Sequence, residues 1–205
     1  MKAQKPQAIQ AKKRDYTYQT LSQLDVGQES VNFFAVVLEA TYPHRAKKSQ
    51  NYVVSLKLAD QTCKFDSHGV CEYISLVCFA KKFDDLPTSQ RCGEIIRVHR
   101  ANVNTYQGNK QLTANIAFNS SWALWHPQSF SPQSEFDPTA FYGKSFQQDK
   151  AQNKMIKDLR KWSAASFEKH SVLSTKYLAQ LSDIPQKGAV VDEATKKTIY
   201  RDFDL

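Results

Sequence analysis

The sequence contains no hydrophobic run long enough to cross a bilayer. Its longest uninterrupted apolar stretch is Phe33–Leu38, whereas a membrane-spanning helix needs about 20 apolar residues. The amino terminus is basic but no apolar segment follows it, so we expect no secretory signal. These features indicate a protein of a reducing compartment, nuclear or cytosolic.

Motifs of catalytic and metal sites are equally scarce. The six glycines never cluster, which argues against the glycine-rich loops that cradle phosphates. Neither HExxH nor GxSxG occurs. The four cysteines form no CxxC pair, and no histidine completes a zinc spacing; they are Cys63, Cys71, Cys78 and Cys92. We therefore expect no enzyme activity, no cofactor and no metal.

What the chain does have is a globular composition with an excess of positive charge. Hydrophobic residues make up 41% and aromatic residues 12%, and the net charge is +8. Half of that excess lies in residues 33–126, which contain 11 basic and 7 acidic residues. An anionic partner would explain this charge, and a merely solvated basic surface is the alternative.

Residues 32–126 consist of short β-branched and aromatic runs separated by turn residues, which predicts strands. We expect five, at about 33–42, 53–58, 73–79, 95–106 and 111–118. In the first, Phe34, Val36, Leu38 and Ala40 share one face; Val54, Leu56 and Leu58 point inward in the second, and Ile74, Leu76 and Cys78 in the third. The alternation of the fourth slips near His99-Arg100, which predicts a β-bulge. Five strands without a βαβ pattern predict a small closed barrel.

The flanking segments have other patterns. Residues 1–31 are polar and basic and predict a flexible arm, and the Ser/Pro/Gln-rich residues 127–148 predict a linker. Residues 149–205 begin with a helical pattern whose apolar stripe is Ile156, Leu159, Trp162, Ser163 and Phe167. Between these flanks, Trp122 and Trp125 are expected to close the bottom of the barrel.

Outward and loop positions of the predicted barrel mix aromatic rings with cations and amides, as single-stranded nucleic acid requires. The rings are Tyr42, Phe79 and Tyr106, and the cations are Arg45, Lys48, Lys57, Lys81, Arg97, Arg100 and Lys110. Gln107, Asn109, Gln111 and Asn115 add amides for base edges. Structural alternatives stay open: Tyr106 as a cap of the hairpin, Phe79 as a residue under the helix, and His99 as a hydrogen-bonded strand residue instead of a base contact.

Several motifs in order resemble a known family. They are Phe79–Pro87 and Gly93–Arg100, flanked by Phe34–Val37, Ser55-Leu56-Lys57, Gln111–Leu124 and Leu159–Trp162. Together they resemble the first OB fold of the telomere end-binding family, which includes the alpha subunit of ciliate telomere end-binding proteins and the protection-of-telomeres proteins. The resemblance covers about residues 33–170.

The resemblance implies a mainly β chain: a five-stranded OB-fold barrel with a C-terminal helical extension. It implies binding of the single-stranded, G-rich 3′ overhang of telomeric DNA, protection of chromosome ends, and a place in the nucleus. Tyr52, Lys57, Tyr106 and Gln111 correspond to groove residues, and Ser55 lies in one of the matching motifs. Arg45 takes a position held by another cation. Phe118 sits where a stacking tyrosine is expected, although its alternation places it inward.

The resemblance also extends to the end of the chain. Asp202–Leu205 resembles the start of a second OB fold, so the sequence is either a fragment or a short relative. A beta subunit, if one joins, is expected to bind through regions that this sequence lacks. Two other functions compete with telomeric binding: a general single-stranded DNA- or RNA-binding module, and a protein-interaction OB fold with an apolar exposed groove.

Overall fold

Strands supply most of the regular structure in the described part of the chain. The computed structural model describes residues 16–46, 49–89, 91–128, 134–169, 189–192 and 197–200, with side chains as far as residue 166. The elements are β1 (Val31–Ala40), β2 (His44–Arg45), β3 (Tyr52–Ala59), β4 (Ile74–Ala80), β5 (Ile95–Tyr106), β6 (Asn109–Asn115), β7 (Ser121–Trp125), β8 (Ala140–Tyr142), α1 (Lys150–Lys169), β9 (Ala189–Asp192) and β10 (Lys197–Tyr200). Short 3₁₀ helices lie at Leu21–Gln23 and Phe83–Asp85.

Five of the strands close into a barrel, as predicted. They are hydrogen-bonded in the order β1-β3-β4-β6-β5, and β5 pairs again with β1. The β4–β6 pair is parallel and the other barrel pairs are antiparallel. β7 extends the sheet from β5, β8 pairs with β7, and β2 pairs with β3. β9 and β10 form a separate antiparallel pair. Among the described residues, no helix is long and apolar enough to cross a membrane.

The interior of the barrel is filled by alternate residues of each strand. Val54, Leu56 and Leu58 of β3 and Leu76 and Cys78 of β4 are buried there, as their alternation predicted. Ile74, at the start of β4, is partly buried against the same core. The barrel is therefore packed through and has no central channel for a ligand.

The predicted β-bulge lies in β5 at Arg100, whose φ is 59°. β1 pairs Phe33 with Val98 but Val31 with Ala101, so one extra residue enters β5 between them. Val98 before the bulge and Ala101 after it both reach the barrel interior. The bulge bends β5, and it divides the strand into a proximal half that pairs with β7 and a distal half that pairs with β6.

A second hydrophobic cluster lies outside the barrel, under α1. Phe34, Val36 and Leu38 of β1 pack there with residues of β7 and α1. β1 is thus buried on both faces, because Phe33, Ala35 and Val37 fill the barrel. The prediction that Ala40 shares the face of Phe34 was wrong. A register shift between Val37 and Glu39 places Ala40 in the barrel core instead.

The two tryptophans of β7 separate between these clusters. Trp122 packs in the barrel, where its indole nitrogen donates to the backbone oxygen of Asp85 at 2.8 Å. Trp125 points the opposite way into the second cluster and donates to the backbone oxygen of Phe136. The prediction that both close the barrel therefore holds for Trp122 and is wrong for Trp125. The two residues are three positions apart in a strand, and an odd spacing places side chains on opposite faces.

The flanking segments are packed on the barrel where the structure describes them. Leu21 and Leu24 are fully buried in the barrel core, so the segment 16–31 differs from the predicted flexible arm; residues 1–15 lie outside the described part. Within the predicted linker, β8 pairs with β7, and Phe136 and Phe146 pack on the second cluster. These aromatic residues give the segment apolar area to bury, which its Ser/Pro/Gln content obscured.

The predicted helix is present and presents its apolar stripe to the barrel. Ile156, Leu159 and Ser163 are buried and Trp162 is partly buried; the side chain of Phe167 lies outside the described residues. Asp149 precedes the first turn, where its carboxylate accepts a hydrogen bond from the backbone N–H of Gln152 at 3.0 Å. The helix therefore covers one side of the barrel only.

Candidate nucleic-acid interface

On the opposite side of the barrel, no element of the described part of the chain covers the strands, and we call this surface the open face. It consists of the outward residues of β3, β4, β6 and the distal half of β5: Val53, Ser55, Lys57, Ser75, Val77, Phe79, Asn102, Asn104, Gln111, Thr113 and Asn115. All of them are partly or fully exposed, and none is acidic. The strand alternation that buries their neighbours holds these side chains on one surface.

The strand register aligns the open face into rows that cross the sheet. Lys57, Ser75, Gln111 and Asn104 form one row, and Ser55, Val77, Thr113 and Asn102 form the next. Val53, Phe79 and Asn115 form a third. The predicted site residues Ser55, Lys57, Phe79, Gln111 and Asn115 therefore lie on one continuous surface.

An aromatic cluster lies at the β2 end of the open face. The ring of Phe83 lies 5.5 Å from Tyr42 and 6.1 Å from Tyr52, centroid to centroid. The guanidinium of Arg45 lies 5.2 Å from the centroid of the Tyr52 ring and donates to its hydroxyl. Tyr42 remains 56% exposed. This end offers a ring and a cation side by side, which suits a stacked base and its phosphate.

At the other end of β3, Lys57 is held between a carboxylate and a ring. Its ammonium lies 2.7 Å from Glu39 on β1 and 5.0 Å from the centroid of the Tyr73 ring. The side chain is 35% exposed, so the pair is a surface one and contributes little stability. Lys57 is thus positioned rather than freely mobile, and the Tyr73 ring beside it is exposed.

The β5–β6 hairpin borders the same end of the face. Its two-residue turn is Gln107-Gly108, and both residues have a positive φ. Tyr106 and Asn109, on either side of the turn, are the first paired residues of the two strands. Tyr106 is 57% exposed. The ammonium of Lys110 donates to the backbone oxygen of Leu24, so this cation anchors the amino-terminal segment as well as bordering the face.

The remaining predicted residues of this side lie at its margins. Lys81 is exposed in the bend after β4. Phe118 is 83% exposed, so the inward parity assigned to it was wrong. β6 ends at Asn115, and the turn that follows rotates Phe118 outward. Lys48 lies outside the described residues.

Arg97 points out of the barrel, as predicted, but lies on the covered side and not on the open face. It is 5% exposed and donates to the backbone oxygen of Gln147 at 2.8 Å and to Oε1 of Gln152 at 2.7 Å. The rings of Trp125 and Phe146 lie against its guanidinium. The outer side of proximal β5 is covered by these groups and α1, so Arg97 is a buried structural residue and its prediction as a contact was wrong.

His99 is buried beside it, so its prediction as a base contact was also wrong. It is hydrogen-bonded through Nε2 to the Tyr18 hydroxyl at 2.8 Å and is stacked on the Tyr16 ring at 3.8 Å. Burial, reinforced by the charges of Arg97 and Arg100, lowers the pKa of His99 to about 3. The imidazole is therefore neutral near pH 7.

Arg100 lies at the bulge and faces neither the barrel interior nor the open face. Its guanidinium donates to the Tyr16 hydroxyl at 2.8 Å, to Ser121 Oγ at 3.1 Å and to the backbone oxygen of Asn119. It thereby ties the amino-terminal segment to the turn before β7. Its prediction as a groove residue beside Tyr106 was wrong, because the left-handed bulge turns the side chain away from that row.

Sequence reasoning missed several residues of the open face. Asn102, Asn104 and Thr113 lie in its rows, and Phe83 joins its two tyrosines. Parity after the bulge would have placed Asn102 and Asn104 outward, since Ala101 and Val103 point inward. Phe83 lies in a 3₁₀ turn, where no strand pattern exists to reveal its direction.

The thiols offer no reactive or metal-binding chemistry. All four cysteines are free, and burial raises the pKa of Cys63 to about 11 and of Cys71 and Cys92 to about 12. Within the described ranges, no three His, Cys, Asp or Glu side chains cluster in a way that could hold a metal ion. Reactive thiolates require the opposite environment.

The open face therefore combines exposed rings, cations and amides on a curved sheet. Bases unstacked from a single strand can stack on such rings, while amide and cationic groups hydrogen-bond base edges and phosphates.

Comparison with known proteins identifies the family. A family model described as "Telomeric single stranded DNA binding POT1/CDC13" matches residues 12–173. The telomere-binding protein subunit alpha of Stylonychia mytilus is 34% identical over 93% of this chain, and that of Sterkiella nova is 33% identical over 89%. The 51 kDa telomere-binding subunit of Euplotes crassus is 32% identical over 97%. The chain spans 41–48% of the length of these relatives.

Solved structures share the fold. Fission yeast Pot1, crystallised with single-stranded DNA, superposes with a TM-score of 0.60 at 18% identity, over 77% of this chain and 50% of that one. Another Pot1 complex with single-stranded DNA gives 0.59 at 18% identity, over 75% and 88%. At this identity the likeness concerns the fold, and the sequence matches carry the family assignment. The resemblance found in the motifs is confirmed: the chain belongs to the family of telomeric single-stranded DNA-binding POT1/CDC13 domains.

Proposed function

We propose that the open face binds the single-stranded, G-rich DNA of telomeric 3′ overhangs. The observation that carries this proposal is the coincidence of family membership with an uncovered sheet surface bearing rings, cations and amides. Stacking on exposed aromatic rings contributes about 1–3 kcal/mol per base. The amides of Gln111, Asn104 and Asn115 supply hydrogen bonds to guanine edges, and Lys57 and Arg45 meet phosphates.

The role is one of binding at chromosome ends, in the nucleus, and needs no catalytic residue. The matched family and its ciliate relatives are described as telomeric. Protection follows from occupancy, because a strand whose bases are stacked against a protein is withheld from enzymes that act on DNA ends. Recruitment of a beta subunit stays a prediction.

The protein-interaction alternative fits the open face less well. Such a fold is expected to present an apolar exposed groove, whereas Ser, Thr, Asn, Gln and Lys occupy most of the rows described above. The general single-strand alternative shares the same chemistry, and only sequence preference distinguishes it from telomeric binding.

Competition binding tests the proposal directly. The full chain is titrated with a fluorescent G-rich telomeric oligonucleotide against unlabelled telomeric DNA, oligo-dT and the RNA of the same sequence. We expect telomeric DNA to compete best, and log K to fall linearly with log salt concentration with a slope of about −0.7 per phosphate contact. Equal competition by oligo-dT would favour the general module, and absence of binding would reject the proposal.

A further inference from the structure

A cleft lies beside the bulge, outside the open face. It has a volume of about 550 Å³ and is bounded by the turn 116–120 on one side and by residues 141–147 on the other. Pockets of about 300–1,000 Å³ are typical of small-ligand sites. The cleft is therefore large enough for a single nucleotide.

Two exposed rings border the cleft. Phe118 is 83% exposed and Phe141 is 50% exposed. The Phe141 ring is supported from behind by Phe146, at 5.0 Å between centroids. Exposed apolar side chains gathered at one place, unlike those scattered singly, are typical of interaction sites, and a pair of rings at one cleft offers stacking surfaces for a base.

The polar lining of the cleft is positive. None of the described residues that line it is Asp or Glu, whereas Arg100 and Lys144 are basic. Arg100 is held in place by its three hydrogen bonds, which use three of the five N–H donors of a guanidinium. Lys144 is exposed at the rim. A hydrogen-bonded arginine and an exposed lysine beside two rings match a nucleobase carrying a phosphate.

The cleft is continuous with the open face along the chain. The turn that borders it begins directly after Asn115, whose backbone oxygen accepts hydrogen bonds from the N–H groups of Phe118, Asn119 and Ser120. Asn115 itself lies in a row of the open face with Phe79 and Val53. A DNA strand that crosses this row of the open face would reach Phe118 at the edge of the cleft.

We infer that this cleft binds one further nucleotide of the strand that crosses the open face, with its base on Phe118 and Phe141 and its phosphate at Lys144. The inference rests on the proposed function, since it extends the same site. It adds Phe141 and Lys144, which lie beyond the barrel in the segment around β8. This segment then has a role in binding as well as in packing.

An oligonucleotide length series separates this inference from the function itself. The shortest telomeric oligonucleotide that binds is extended one nucleotide at a time at the 5′ end or at the 3′ end. We expect extension at one end to tighten binding by at least about fivefold. Phe141→Ala and Lys144→Ala should remove most of that gain while leaving the affinity for the shortest oligonucleotide unchanged.

Matched controls make the result decisive. Lys157→Ala removes the same charge from an exposed position of α1 that does not line the cleft, and it should keep the full gain. Lys144→Ala should also reduce the salt slope for the longer oligonucleotide by about 0.7. The thermal midpoint of each variant is measured, and Lys144→Ala, at an exposed position, provides the test should Phe141→Ala fail to fold.

Either of two outcomes overturns the inference: no gain from extension at either end, or a gain that both variants retain. The second outcome would mean that the extra nucleotide binds elsewhere on the protein and that the two rings serve another purpose, such as contact with a protein partner. Failure of even the shortest oligonucleotide to bind would instead reject the proposed function. The two failures are therefore distinguishable in one series.

Discussion

The two sides of this barrel belong to one closed sheet, but one side is covered by other segments and the other is exposed. On one side the outward residues of β1, proximal β5 and β7 are Phe34, Val36, Leu38, Arg97 and Trp125, and α1 with its neighbouring segments covers them. On the other, the outward residues are mostly polar and no described element covers them. The side chains at alternate positions thus decide which surface becomes core and which remains available.

The largest loss of stability is expected from a substitution on the covered side. Trp125→Ala removes a fully buried indole and its hydrogen bond to Phe136, so the free energy of unfolding should fall by about 3–5 kcal/mol. Urea denaturation measures this loss. Phe118→Ala, which removes an exposed ring, should leave it within about 0.5 kcal/mol; equal losses in the two variants would contradict the division into sides.

Arg97 provides a second test of the two sides, because a charged residue is expected on the exposed side but this one lies on the covered side. Arg97→Ala should lower the free energy of unfolding by about 2–3 kcal/mol, since Oε1 of the buried Gln152 loses its charged donor. The affinity of the folded variant for telomeric DNA should stay unchanged in a fluorescence titration. A large loss of affinity with intact stability would return Arg97 to the binding surface.

The covered side should also make stability depend on pH. The pKa of His99 is lowered to about 3 in the folded chain, from 6.5. As pH falls below 6.5 the unfolded chain therefore takes up a proton first. The stabilisation is complete above pH 6.5 and declines toward pH 3, by up to about 2 kcal/mol between pH 6.5 and 5. Chemical denaturation of His99→Gln over this range should show a flatter profile; a profile identical to that of the parent would refute the assignment.

On the open side, removal of an exposed aromatic ring should lower the affinity for DNA and leave the stability of the fold unchanged. Tyr106→Ala removes an exposed ring at the hairpin, and the affinity for telomeric DNA should fall by about 1–3 kcal/mol, the stacking contribution of a base. Fluorescence anisotropy measures it. Unchanged affinity would remove Tyr106 from the interface and leave it as a cap of the hairpin.

The smallest effect concerns a single cation. Lys57→Ala should lower affinity by about 1 kcal/mol or less and reduce the salt slope by about 0.7, because one phosphate contact is lost. Stability should hardly change, since the pair with Glu39 lies at the surface. Lys154→Ala is the matched control: it breaks an exposed pair with Asp158 on α1 and should leave the salt slope as it was.

The sequence predicted the barrel well because alternation is a local property. The inward faces of β3 and β4 and the bulge in β5 follow from patterns of a few residues. The short strands β7 and β8 were missed, since one was interpreted as the bottom of the barrel and the other lay in a supposed linker.

The side chains predicted for the site reach the surface where an outward position is also an exposed one. Lys57, Tyr106 and Gln111 share that condition, whereas Arg97 and His99 point outward beneath other segments. Parity cannot reveal what covers a surface, because the covering residues are distant in sequence: Gln147 and Gln152 lie about 50 positions from Arg97. The run Phe33–Leu38 did carry a signal of double burial, since an unbroken apolar strand has no solvent side.

The single extra residue at Arg100 reverses the alternation of side chains between the two halves of β5, one of which lies under α1 and the other in the open face. In a regular strand of the same sequence, every side chain beyond Arg100 would exchange its orientation, which would send Asn102 and Asn104 into the barrel and Val103 into the solvent. Point substitutions elsewhere in this strand alter one contact, but straightening the strand at this position would invert a whole surface at once. The left-handed conformation at Arg100 is therefore what allows Val98 and Val103, five positions apart, to share one interior.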